Sequence, residues 1–207
     1  MKVGIISYGI GNIGSVVGSL NNLGVRHQII KEEKEFDQID KLILPGIGNF
    51  KKCKEILDKK NFTKIIREKV SKHKTPILGI CLGMQLLAYL GTEGNENNFS
   101  EGLKLIQGEV VNLKKLGSKS ILPHIGWNNI KIKNNSPIIK NIPDNTDFYF
   151  VHSYAYSNIK KEYIIAETNY GINFPVIIQN KNVWGTQFHP EKSSNAGQEI
   201  LKNFINY

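Results

Sequence analysis

Cys81, His189 and Glu191 are the residues whose types and spacing best suit chemistry. Cys81 lies in Gly79-Ile80-Cys81-Leu82-Gly83. An apolar run, Ile77–Ile80, precedes it, and Met84, Leu86, Leu87 and Leu90 follow at helical spacing. A nucleophile between two glycines at a strand-to-helix turn is the geometry of a nucleophile elbow. The glycines permit the turn and the close packing, and the helix N-terminus favours a thiolate and a developing oxyanion. The competing reading is an inert buried cysteine, since free Cys is often fully buried. A thiol nucleophile needs an imidazole to take its proton, and the imidazole needs an acceptor to orient it. Gln187-Phe188-His189-Pro190-Glu191 supplies both groups at the end of an apolar stretch, Val183–Phe188. The bland alternatives are a structural histidine and a surface carboxylate beside Lys192.

The elements that must position these groups come in two halves. Lys2–Ser7, Val25–Ile30, Lys41–Leu44 and Ile77–Ile80 read as strands, and Val16, Val17, Leu20 and Leu23 mark a helix that Gly24 ends. Phe62, Ile65, Ile66 and Val70 mark a second helix, and Thr75-Pro76 breaks it. This alternation predicts a parallel sheet covered by helices. Gly46-Ile47-Gly48 follows a strand at the sheet end where ligands bind, and such a loop can offer backbone N–H groups to an anion. Gly91–Glu101 reads as a polar loop. The second half predicts short, more antiparallel strands at Gly108–Leu113, Ile121–His124, Trp127–Ile132, Phe148–Val151, Tyr163–Glu167, Phe174–Gln179 and Val183–Phe188. Ile200, Leu201, Phe204 and Ile205 mark a closing helix. With no linker or repeat between the halves, residues 1–207 are expected to form one domain.

Bulk properties exclude several classes. The composition, 40% apolar and 22% charged, is that of a globular protein. No apolar run nears the about 18 residues of a membrane span, and no signal peptide is read at Met1. Two cysteines, Cys53 and Cys81, make neither a disulfide framework nor a structural metal site. A cytoplasmic location with no metal is expected. The net charge of +9 is spread over scattered lysines, which argues for a solvated surface over a nucleic-acid site. Gly9-X-Gly11-X-X-Gly14, followed by Glu32 and Glu33 about twenty residues on, matches a dinucleotide fingerprint, although those carboxylates fall in a highly charged run. Of the remaining histidines, His27 and His73 lie in polar surroundings. His124 and His152, weaker candidates than His189, sit beside Gly126-Trp127 and Ser153-Tyr154, where partner or substrate contact could arise.

Gly79-Ile80-Cys81-Leu82-Gly83-Met84-Gln85 with His189-Pro190-Glu191 resembles the class I, triad-type glutamine amidotransferases. Within them the chain is most similar to the HisH-type glutaminase subunits of imidazole glycerol phosphate synthases. That narrower resemblance rests on Tyr8–Asn12 with Ser15, Leu44–Gly48, Pro123–Asn128 and Phe148–Tyr154, and it runs from Val3 to Phe204. It implies a flavodoxin-like α/β fold, with a mostly parallel sheet and extra antiparallel strands in the second half. It also implies hydrolysis of L-glutamine to glutamate and ammonia by Cys81, His189 and Glu191, with no cofactor, and so accounts for the Gly9–Ser15 loop without a nicotinamide. Oxyanion donors would come from Leu82 and from Gly46, Ile47 and Gly48. Gln85, Ser153 and Tyr154 would hold the α-amino and carboxylate end of glutamine.

The resemblance further implies a HisF-type (β/α)8-barrel cyclase as heterodimer partner, receiving the ammonia through a tunnel. Gly11, Asn12, Ser15 and Trp127 would face it, and a turn of the Gly46-Ile47-Gly48 backbone could switch the oxyanion site on. Ser7, Asn49, Gln107 and Val176–Ile178 depart from the family pattern, and related chains serve surface-sugar amidation, which stays an alternative acceptor.

Overall fold

In the parallel strands apolar residues follow one another without alternation, so both faces of those strands must be covered. The computed structural model describes residues 1–95 and 98–207 and shows how this is met. In chain order the elements are β1 (Val3–Ile6), α1 (Ile13–Asn22), β2 (His27–Ile30), β3 (Lys41–Gly46), α2 (Phe50–Lys59), α3 (Phe62–Ser71), β4 (Ile77–Cys81) and α4 (Leu82–Leu86). Then follow β5 (Leu90–Gly91), β6 (Ser100–Glu101), β7 (Glu109–Asn112), β8 (His124–Asn129), β9 (Lys131–Ile132), β10 (Asp147–His152) and β11 (Tyr154–Ser157). The chain closes with β12 (Ile164–Asn169), β13 (Asn173–Asn180), β14 (Val183–Thr186) and α5 (Ser194–Asn206).

The main sheet has the order β2-β1-β3-β4-β14-β13-β12-β9. Its first five strands are parallel, in the flavodoxin-like arrangement, and the last three extend it antiparallel. Residues on alternate sides of each parallel strand enter two separate cores. Val3, Ile5, Ile43, Leu78 and Ile80 pack with Val16 and Leu20 of α1 and with Ile200, Leu201 and Phe204 of α5. Ile6, Leu42, Leu44 and Ile77 pack with Phe50 and Leu57 of α2 and with Phe62, Ile66 and Val70 of α3. Burying each such side chain contributes on the order of 2 kcal/mol, which ties the helices firmly to the sheet.

The second half also forms two smaller sheets, β10-β8 and β11-β7-β5-β6, and Val151, His152 and Tyr154 of β10 and β11 line one cavity with Cys81 at the C-terminal end of β4. The helix read through Met84, Leu86, Leu87 and Leu90 is short, since α4 ends at Leu86 and Leu90 already opens β5, and four further details differ from the sequence reading. Helix α2 was not expected: its lysines hide the apolar stripe Phe50, Cys53, Leu57, and its start is set by Asn49, whose Oδ1 accepts from Lys52 N at 3.0 Å. That gives the unusual Asn49 a structural role. The expected loop Gly91–Glu101 is bounded by a pairing of β5 with β6, while its residues 96 and 97 lie outside the described part. The expected strand Ile121–His124 is absent; the strand instead starts at His124, after Pro123, which has no N–H to give a ladder, and runs through Gly126. Finally, β11 continues almost directly from β10, with only Ser153 between them.

Candidate active site

β4 ends at Cys81, whose backbone (φ 54°, ψ −111°) lies outside the regions ordinary residues occupy. Holding it there costs on the order of 1–3 kcal/mol, so the surroundings must enforce it. They do so by close approach of backbones. A Cβ on Gly79 would sit 2.6 Å from Gly83 O, and one on Gly83 would collide with Leu44 O in β3. A Cβ on Gly46 would stand 2.7 Å from Tyr8 Oη. These glycines let β3, β4 and α4 converge, with Gly46 paired to Cys81 in register.

His189 follows β14, the strand hydrogen-bonded to β4. Its backbone N–H donates to Tyr149 O at 3.0 Å, and its carbonyl accepts from Ser193 Oγ at 2.7 Å, which fixes the loop against β10. The imidazole Nδ1 and Glu191 Oε1 are 2.8 Å apart, with both side chains about fully buried (2% and 1% exposed). Among the described residues His189 Nε2 is buried with no hydrogen-bond partner, and the ring shares a cavity with Cys81. Burial opposes a charge on the ring. Interaction with Cys81 and the hydrogen bond to Glu191 outweigh it, and the pKa is pushed up to about 10. Such an imidazole readily holds the proton of a neighbouring thiol.

The cavity measures about 170 Å³ and is lined by Ile47, Gly48, Cys81, Leu82, Gln85, Glu93, Val151, His152, Ser153, Tyr154 and His189. The structure thus gathers Cys81, His189, Ile47, Gly48, Leu82, Gln85, Ser153 and Tyr154 around one space. Gly46 and Glu191 are not among the lining residues: Gly46 is paired with Cys81 in the β3–β4 register, and Glu191 is joined to His189. A groove of about 480 Å³ along α3, lined by Asp58, Asn61, Arg67 and Lys72 among others, contains neither cysteine nor histidine. Glu93 was not picked out in the sequence. Its carboxylate accepts from Phe50 N at 2.9 Å, and that link to the start of α2 brings it to the cavity. No local motif marks it. Gln187, read only as part of the His189 stretch, is buried and places Nε2 3.9 Å from Cys81 Sγ.

The residues expected at a partner surface are spread over one loop, the first turn of α1 and strand β8. Asn12 stands at the start of α1, with Gly11 and Ser15 beside it, all half-buried. Trp127 is 54% exposed, and Ile125, two residues earlier on the same face of β8, is 58% exposed. Chemically, the arrangement can carry out nucleophilic acyl transfer on a small amide: a thiol, a base, an oriented carboxylate and a cavity sized for one amino acid.

Comparison with known proteins bears on the family and the fold. The family model "Glutamine amidotransferase class-I" matches residues 5–207. Imidazole glycerol phosphate synthase subunit HisH 1 of Campylobacter jejuni (strain RM1221) is 42% identical over 204 residues, covering 98% of this chain and 98% of its own. The HisH subunit of Caldanaerobacter subterraneus subsp. tengcongensis is 44% identical over 202 residues, covering 98% of this chain and 96% of its own. Among solved structures, PurLQS from Thermotoga maritima superposes with a TM-score of 0.76 at 17% identity, covering all of this chain and 98% of the other.

Proposed function

The chain belongs to the class-I glutamine amidotransferase family, and on that premise we propose that it is the glutaminase subunit of an imidazole glycerol phosphate synthase, acting in histidine biosynthesis. The observation that carries the reading is the buried Cys81, His189 and Glu191 set at one end of a single-amino-acid cavity. His189 takes the thiol proton, and Cys81 Sγ attacks the side-chain amide carbon of L-glutamine. Backbone N–H groups of Leu82 and of the Gly46-Ile47-Gly48 loop receive the oxyanion. His189 then passes its proton to the amide nitrogen, the C–N bond breaks and ammonia leaves. Water, deprotonated by His189, attacks the γ-glutamyl thioester, the C–S bond breaks, and glutamate is released. Glu191 keeps the imidazole oriented and stabilises its charge throughout.

The far end of the cavity suits the rest of the substrate. Gln85 and the backbone of Ser153 and Tyr154 face the α-carboxylate and α-amino group, and Glu93 supplies a countercharge for the ammonium. Ammonia released into water would protonate and be lost to the synthesis, so the subunit works docked to a HisF-type cyclase. The exposed Ile125 and Trp127, with Gly11, Asn12 and Ser15, form the docking surface. The residues 1–207 act as one amidotransferase domain in the cytoplasm; among the described residues no helix is long and apolar enough to cross a membrane. No cofactor or metal enters the scheme.

Complementation tests the pathway. In a histidine-requiring strain lacking its own glutaminase subunit, the wild-type chain, expressed with its cyclase, restores growth and Cys81→Ala does not. Glutaminase activity without rescue would move the acceptor to another pathway.

A further inference from the structure

Two buried histidines have no part in that scheme. His124 and His152 are direct cross-strand partners in the β8–β10 register, and His124 Nδ1 lies 3.0 Å from His152 Nε2. His152 Nδ1 lies 2.8 Å from the carbonyl oxygen of Tyr154. A carbonyl can only accept, so His152 carries its proton on Nδ1, and in the neutral ring Nε2 is an acceptor. His124 must then donate from Nδ1, and its Nε2 accepts from Asn128 Nδ2 at 3.3 Å. Asn128 Nδ2 also donates to Asn169 O at 2.9 Å, which fixes the amide. Burial keeps both rings neutral, with His124 lowered to about 4 and His152 to about 3. Every hydrogen bond in the chain therefore has one direction, from Asn128 through His124 and His152 to Tyr154.

The chain ends at the active site. Tyr154 O also accepts from Gln85 Nε2 at 3.0 Å, and Gln85 Nε2 donates again to Gln187 Oε1 at 3.1 Å. We propose that His124 and His152 are positioning residues for amide hydrolysis, holding the Tyr154 carbonyl and through it Gln85, so that the α-end of the substrate is seated relative to Cys81. The proposal rests on the glutaminase reading. A packing role alone would not need the nitrogens. His124 is stacked between Phe150 and Tyr170, with ring centroids 4.8 Å and 4.1 Å away, and a phenylalanine would serve that stack. Imidazole nitrogens in such surroundings are costly unless each is hydrogen-bonded.

Two measurements on the full chain decide it. With ¹⁵N-histidine labelling, His124 and His152 are expected to show protonated Nδ1 and unprotonated Nε2 at neutral pH; a proton on Nε2 of either ring overturns the relay. The second is inactivation by a γ-chloroketone analogue of glutamine, which separates binding (KI) from reaction (kinact). His124→Phe keeps the stack and deletes the chain. It is expected to raise KI about tenfold, the loss of one buried hydrogen bond, while kinact stays within about twofold. His124→Asn, whose amide can donate from the Nδ1 position, is expected to recover most of that loss. Unchanged KI in His124→Phe overturns the proposal. If wild type is not inactivated, the glutaminase reading fails instead. If His124→Phe does not fold, or wild type is inert, the tautomers of the wild-type chain still decide the relay.

Discussion

Gly83→Ala adds one methyl group where the elbow touches β3, and the structure fixes its consequence. The new Cβ would overlap Leu44 O and stand 2.8 Å from the Leu44 carbonyl carbon, where ordinary contact starts at 3.4 Å. Both obstacles are backbone atoms of a central strand, so no side-chain rotation relieves them. Either β3 and α4 separate or Cys81 leaves its strained conformation, at about 3 kcal/mol or more, the upper range for overpacking. Gly18→Ala is the control. Gly18 is an exposed residue of α1 with no atom of the described residues within 4 Å of its Cβ position, and there the same change stabilises by about 0.5–1 kcal/mol through helix propensity. Urea unfolding of the full chain measures both. Inactivation by the γ-chloroketone, run alongside, should slow in Gly83→Ala and be unaltered in Gly18→Ala. A Gly83→Ala chain as stable as Gly18→Ala, with normal inactivation, would refute the claim that backbone contact holds the elbow.

Glu191→Gln removes the countercharge from a ring whose pKa is pushed up to about 10, so glutamine hydrolysis at pH 7 should fall by about two to four orders of magnitude. The defect should shrink towards pH 9, because hydroxide can take the thiol proton that a misoriented His189 no longer accepts; a pH-independent defect speaks against the role. The same raised pKa gives stability that is complete below pH 6.5 and is lost as pH rises through about 10, a slope that Glu191→Gln should flatten in urea titrations. His124 and His152 act in the opposite direction. Their lowered pKa values give stability present above pH 6.5 and lost as pH falls towards about 4 and then about 3. His124→Phe should therefore reduce the acid slope, and an unchanged slope would count against the neutral buried pair. Trp127→Ala deletes an exposed aromatic anchor and should weaken cyclase binding about thirtyfold or more by calorimetry; unchanged affinity removes Trp127 from the interface.

The elbow was legible in the sequence because its chemistry is local: two glycines, a cysteine and a change of hydrophobic period within a few residues. His189 and Glu191 were legible for the same reason, and β14 lies beside β4 to deliver them. Glu93 was not, because its place depends on a hydrogen bond to Phe50 at the start of α2, a helix the lysines disguised. The His124–His152 relay was half-visible. Both residues were read only as weaker candidates beside Gly126-Trp127 and Ser153-Tyr154, and their pairing exists only in the β8–β10 register, which depends on contacts distant in sequence. In β8 the alternation of a strand puts His124 and Asn128 on one face and Ile125 and Trp127 on the other, so a single strand serves relay and docking surface. The Gly9–Gly14 loop shows the limit of a motif read alone. It has a strand before it and a helix after it, yet in this fold it leads into α1 beside β3, with Gly11 next to Pro45.

The central claim is that Cys81 is the nucleophile that opens the glutamine amide. Treating the full chain with the γ-chloroketone and locating the adduct by peptide mass spectrometry tests this directly. The account predicts one adduct, on the peptide carrying Cys81, suppressed by excess L-glutamine and absent in Cys81→Ser. An adduct on Cys53, or one on Cys81 that glutamine does not suppress, would contradict it.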